Sequence, residues 1–252
     1  MTKKILYSRP KALTDAHTHY CSGCGHGIVH KVIAEAVDAL DIRERVIGIA
    51  PVGCAVLAYF YMNFDVSEAA HGRTAAVATG IKRALPDRIV FSYPGDGDLA
   101  AIGLSETIHA ANRGENITII FINNAVYGMT GGQMAPTTLI GQKTATSPLG
   151  RDPVTMGPPI RVCELLNTLD KPHYIERVAL DGPAGVRSAR KAITRALQVQ
   201  MDNKGYSFVE ILSPCPVYQR LSPVDALKFV GGEMTSHFPV RVFRDGGKPL
   251  HA

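Results

Sequence analysis

Apolar residues recur along this chain with two periods. Over residues 26–40, Ile28, Val32, Ile33, Ala36, Val37 and Leu40 share one face at helical spacing. Residues 46–50 form a short apolar run, β-branched at its start, of the kind that makes a buried parallel strand. The pattern then alternates. Helices are predicted over 74–85, 99–112, 162–169 and 183–202, and strands over 89–92, 117–122, 174–178 and 207–212. Such alternation predicts an α/β fold, a doubly wound and mostly parallel sheet. No repeat, low-complexity tract or composition shift marks a boundary, so the chain reads as one domain over 1–252. Its N-terminal arm (about 1–20, basic and proline-containing from Lys3 to Pro10) and its C-terminal tail (about 216–252) read as irregular. Residues 123–160 form a long Gly-, Thr- and Pro-rich segment with little periodicity, a length usual for functional loops.

Composition narrows the classes. The chain has 252 residues, 46% of them hydrophobic and 19% charged, with a net charge of +5. That excludes a disordered or fibrous chain. The 27 Lys and Arg are dispersed with no long basic run, which argues against nucleic acid as a partner. Residues 46–62 carry no charge, yet Gly48, Pro51 and Gly53 interrupt them. A strand, a tight turn and a buried helix fit that stretch better than a membrane span. The five cysteines are odd in number and no signal peptide is read ahead of them, so a reducing, cytoplasmic setting with metal or redox chemistry is expected.

In an open parallel sheet, ligands bind at the carboxyl ends of the strands. Four segments are placed there: 51–54, Gly95-Asp96-Gly97-Asp98, Asn123-Asn124, and 213–216. In the second, the glycines let backbone N–H groups approach a diphosphate at a helix start. Asp96 would repel that anion unless a cation lies between them, and Mg2+ is the hard cation suited to the task. The Asn124 side chain and the Val126 carbonyl can complete its protein ligands. Either segment alone reads as an ordinary turn; the pair at βαβ spacing resembles the thiamine diphosphate motif of thiamine-dependent enzymes.

The cysteines extend the resemblance. Cys21-x-x-Cys24-Gly, Val52-Gly53-Cys54, the thiamine motif, Tyr127-Gly-Met-Thr-Gly-Gly-Gln133 and Pro214-Cys215-Pro216 together resemble the β subunit of 2-oxoacid:ferredoxin oxidoreductases over nearly the whole chain. The resemblance implies a thiamine diphosphate-binding fold with Mg2+ and a 4Fe-4S cluster. It implies that Cys21, Cys24, Cys54 and Cys215 ligate the cluster, and that Asp96, Asn124 and Val126 hold Mg2+. Four thiolates are the usual ligand set of such a cluster. Cys163 lies among apolar helix residues and reads as core. Gly53, His71, Gly95, Gly97, Asp98, Thr130 and Gly131 are the further candidates for cofactor contact, and His71 the candidate catalytic residue. Some relatives carry a lysine where Gly131 stands, so their substrate specificity does not transfer directly.

The implied reaction is CoA-dependent oxidative decarboxylation of a 2-oxoacid, 2-oxoglutarate or a branched-chain acid, to acyl-CoA and CO2. Electrons would pass from the thiamine adduct to the cluster and on to ferredoxin. The glutamate that activates thiamine lies on a separate pyrimidine-binding domain in such enzymes, so an α subunit is expected, together with γ and ferredoxin-like subunits. The alternatives are a non-redox thiamine-dependent decarboxylase subunit with a structural zinc held by four cysteines, a diphosphate-binding regulatory module and, for the Cys-x-x-Cys pair alone, a thioredoxin-like disulfide.

Overall fold

A computed structural model of the protein describes residues 7–250; the start of the predicted arm, Lys3 included, lies outside them. In chain order come helix α1 (Gly25–Ala39), strand β1 (Val46–Ala50), the single turn α2 (Ala58–Tyr61), strand β2 (Asp65–Glu68), helix α3 (Thr74–Ala84) and strand β3 (Ile89–Ser92). A π-helical segment (Asp96–Ile102) leads into α4 (Leu104–Arg113), followed by β4 (Thr118–Asn123), α5 (Val162–Asn167), β5 (Tyr174–Ala179), α6 (Pro183–Met201) and β6 (Ser207–Leu212). Beyond β6 lie α7 (Pro216–Gln219), α8 (Pro223–Phe229), a short π segment, α9 (Thr235–His237), β7 (Arg241–Asp245) and β8 (Lys248–Pro249).

The strands form one sheet in the order β2-β1-β3-β4-β6-β5-β7-β8. The first six pair in parallel, and β7 and β8 add an antiparallel edge beside β5. The pleat sorts the core into two layers. Ile120 and Ile122 of β4 pack with α1 and α6, while Ile119 and Phe121 pack with α3, α4 and α5. Each fully buried Ile or Phe contributes roughly 2 kcal/mol. Cys163 is fully buried in the second layer, as the sequence predicts.

The predicted doubly wound, mostly parallel sheet is therefore present, with three departures. The tail is not irregular: it forms α7 to α9 and then turns back as the β7–β8 hairpin, with Phe243 fully buried in the core. The predicted helix over 99–112 is broken at Gly103. A Cβ there would stand 2.5 Å from the carbonyl oxygens of both Asp98 and Gly72, so backbone meets backbone at this point. The polar edge strand β2 was not predicted, because Asp65-Val-Ser-Glu is too short and too polar to show a period. The apolar run 46–62 divides into β1, a turn and α2, and no helix of the described residues is long and apolar enough to cross a membrane.

The long segment between β4 and α5 has little regular structure but is held firmly. Arg151, 5% exposed, donates to the carbonyls of Ala135, Pro136, Thr138, Met156, Gly157 and Pro158. One guanidinium thus replaces the ladder the segment lacks.

Candidate functional site

The chain leaves β1 for the edge strand β2 and returns to lay β3 on the other side, which opens a crevice at the carboxyl ends of β1 and β3. Two adjoining cavities lie there. The first is lined by Gly53, His71, all four residues of 95–98, Asn124, Val126 and Thr130. The second gathers Cys21, Cys24, Cys54 and Cys215. His26, Cys54, Asn124 and Gly128 line both and so form the partition between them. Of the predicted site residues, Gly131 alone lines neither, and the Thr130 hydroxyl donates to the Gln133 side chain.

Asp96 sits on the floor of the first cavity, 4% exposed. Its carboxylate accepts from the Asn124 amide at 3.0 Å and from the Thr137 hydroxyl. Burial pushes it up to about 7, with the negative Glu210 adding to the rise against those two hydrogen bonds. A cation in the cavity would supply the missing compensation. Asn124 and Val126 stand beside it in a tight turn: the Asn124 side-chain oxygen accepts from the Val126 amide at 3.3 Å, and Ala125 between them has φ +60°. A left-handed alanine costs about 1 kcal/mol or more, and such strain clusters at functional sites. A Cβ built on Gly53 or on Gly95 would meet nothing within 4 Å, so both backbones border open space. An anionic ligand bridged by a divalent cation fits this donor set.

Asp98 has another task. Fully buried, its carboxylate accepts from the amides of Val52 (3.3 Å) and Gly72 (2.9 Å), from Nδ1 of His71 (2.9 Å) and from the Thr74 hydroxyl (3.2 Å). It ties the loop after β1 to the start of α3. With Nδ1 donated to a carboxylate, the other ring nitrogen of His71 is the one available to a ligand.

The second cavity is walled by aromatic and apolar side chains, among them Tyr20, Pro216, Val217 and Tyr218. Burial, with the other sulfurs adding, pushes the Cys54 thiol up to about 11 and the Cys215 thiol up to about 12. That is opposite to the electropositive setting of a reactive disulfide-forming cysteine, and a bound metal is a charge that would hold these sulfurs as thiolates. A Cβ on Gly128 would lie 3.1 Å from Cys54 Sγ and 3.7 Å from Cys215 Sγ, so the two sulfurs converge on a bare stretch of backbone. Among the described residues no group of three His, Cys, Asp or Glu side chains is placed to hold a single metal ion. Four cysteines around one cavity are the thiolate number that an iron–sulfur cluster uses.

Sequence reasoning missed His26, Gly128 and Thr137. His26 looks like one more polar residue on an amphipathic helix; Thr137 lies in a segment without period. Gly128 falls inside the Tyr127–Gln133 motif, the only signal that marked it.

Residues 52–211 match the family described as thiamine pyrophosphate enzyme, C-terminal TPP binding domain. Ketoisovalerate oxidoreductase subunit VorA of Methanothermobacter thermautotrophicus is 55% identical over 97% of this chain, which covers 53% of that protein. 2-Oxoglutarate synthase subunit KorB of Methanocaldococcus jannaschii is 39% identical over 84% of this chain and 76% of its own length. The chain therefore spans about half the length of the VorA relatives it matches. A 2-oxoglutarate:ferredoxin oxidoreductase structure from Magnetococcus marinus shares the fold, with a TM-score of 0.76 at 23% identity over 98% of this chain and 88% of that one. With a thiamine motif on the strand ends and relatives of this identity, the chain belongs to the thiamine pyrophosphate-binding family of 2-oxoacid oxidoreductase subunits.

Proposed function

We propose that this chain is the thiamine diphosphate- and cluster-binding subunit of a cytoplasmic 2-oxoacid:ferredoxin oxidoreductase, acting on branched-chain 2-oxoacids. The observation that carries the reading is the shared partition: the cavity with the diphosphate motif and the cavity with four cysteines have Cys54 as a common wall. One-electron transfer requires such proximity. A structural zinc or a redox disulfide does not require it.

In this reading Asp96, Asn124 and Val126 hold Mg2+, Gly53, Gly95 and Gly97 give the diphosphate backbone to lie against, and Cys21, Cys24, Cys54 and Cys215 hold a 4Fe-4S cluster. Thiamine supplies an electron sink for decarboxylation when bound. The chain's own residues do the positioning. Asp98 holds His71 by its Nδ1, which presents the opposite nitrogen for a hydrogen bond to substrate. Ile102 and Met129, with Val52, give the cavity an apolar rim. Among the described residues no Lys or Arg lines it, so none of them supplies a fixed positive charge for the second carboxylate of 2-oxoglutarate. That favours an apolar, branched substrate side chain.

In this reading the partners are an α subunit bringing the pyrimidine-binding domain, γ and ferredoxin-like subunits, and ferredoxin as acceptor. The test is an anaerobic assay of the assembled complex with coenzyme A, a viologen acceptor and a panel of 2-oxoacids. Branched-chain acids should give acyl-CoA and reduced viologen, with 2-oxoglutarate at least about tenfold slower in kcat/KM. Decarboxylation without viologen reduction would overturn the redox assignment, and a preference for 2-oxoglutarate the substrate class.

A further inference from the structure

A chain of polar and charged groups, buried at Arg177 and Glu210, leads to the Asn124–Val126 turn that lines the first cavity. Glu164, on α5, accepts from both terminal nitrogens of Arg177 at 3.0 and 2.6 Å. Arg177, fully buried on β5, donates Nε to Glu210 of β6 at 2.8 Å. The other oxygen of Glu210 accepts from the Asn123 side-chain amide at 2.7 Å. The Asn123 oxygen in turn accepts from the Ala125 amide at 3.1 Å, which pins the left-handed turn between Asn124 and Val126. The chain thus links three elements to the one turn that carries two of the cation ligands proposed above.

Buried ion pairs add little net stability, and apolar residues of similar volume often replace them without loss. Retention of two charges with no exposed surface therefore asks for another role. Two carboxylates share one guanidinium here, and Glu210 is the one whose charge is felt at Asp96. We propose that Glu164, Arg177, Glu210 and Asn123 are positioning residues for the cation: they hold the Asn124–Val126 turn in its strained form and place a negative potential under the site. This rests on Asp96, Asn124 and Val126 being the Mg2+ site.

The test is calorimetric titration of Mg2+ into the assembled complex at a fixed, saturating concentration of thiamine diphosphate. Asn123→Ala should weaken Mg2+ binding about tenfold, the scale found for partners of metal ligands. Arg177→Met with Glu210→Leu should bind Mg2+ about tenfold more weakly. The visible spectrum of the cluster should be unchanged in both. Parent-like Mg2+ affinity in Asn123→Ala overturns the proposal, whether or not the double variant folds, as does a double variant that loses stability alone. A parent complex that shows no Mg2+-dependent cofactor binding overturns the site reading itself, a result distinct from both.

Discussion

Gly128 leaves no room for a side chain once the sulfurs beside it are fixed. Its φ is not in the left-handed region, so proximity and not conformation is what calls for glycine. In metal-free protein Cys54 can rotate away from an added methyl group; with its thiolate held by a cluster it cannot. Gly128→Ala should therefore leave the apo-protein's melting temperature unchanged, while overpacking of about 1–3 kcal/mol falls on the loaded state. Anaerobically purified Gly128→Ala should carry far less iron than the parent and still bind thiamine diphosphate. Parent-like iron and sulfide content would show that these sulfurs are not held against residue 128. At this scale the sequence marked Asp96, Asn124, Cys54 and Cys215 because they come just after strands and Cys24 because it opens a helix, whereas Cys21 was marked only by its Cys-x-x-Cys spacing. The partition was not, since His26 and Gly128 come from a helix face and a loop that meet only in the folded chain.

Helix α1 carries two buried histidines held neutral. His26 and His30 lie one turn apart on its buried face and pack among Tyr20, Tyr61 and Tyr93. His30 shares a hydrogen bond of 3.0 Å with the Tyr20 hydroxyl. Burial, with the neighbouring histidines adding, holds His30 down to about 3 from its ordinary 6.5. A depressed histidine favours the fold above its unfolded value, and that contribution is lost as pH falls from 6.5 toward 3. At pH 5 the loss for one such group is about 2 kcal/mol. His30→Gln keeps a partner for Tyr20 without titrating, so the drop in denaturation midpoint between about pH 7.5 and 5 should shrink. An unchanged acid slope would show that α1 does not depend on a neutral His30. The parallel strands and their helices were readable from period and length. The β7–β8 edge and β2 were not, because two to five residues of mixed polarity show no period, and only pairing with β5 and β1 makes them strands.

As a whole the chain spans 53% of the length of its relative VorA. Its low charged fraction and exposed apolar side chains fit a surface made to be covered: Leu149 is 95% exposed and Val154 89%. What fills the cavity of four cysteines next to the diphosphate motif decides between a redox subunit and its alternatives. The most direct measurement is iron, acid-labile sulfide and zinc per chain in anaerobically purified protein, compared with variants carrying serine at Cys21, Cys24, Cys54 or Cys215. We expect about four iron and four sulfide per chain, lost in those variants and retained in Cys163→Ser. Stoichiometric zinc without iron, or iron that survives all four substitutions, would contradict it.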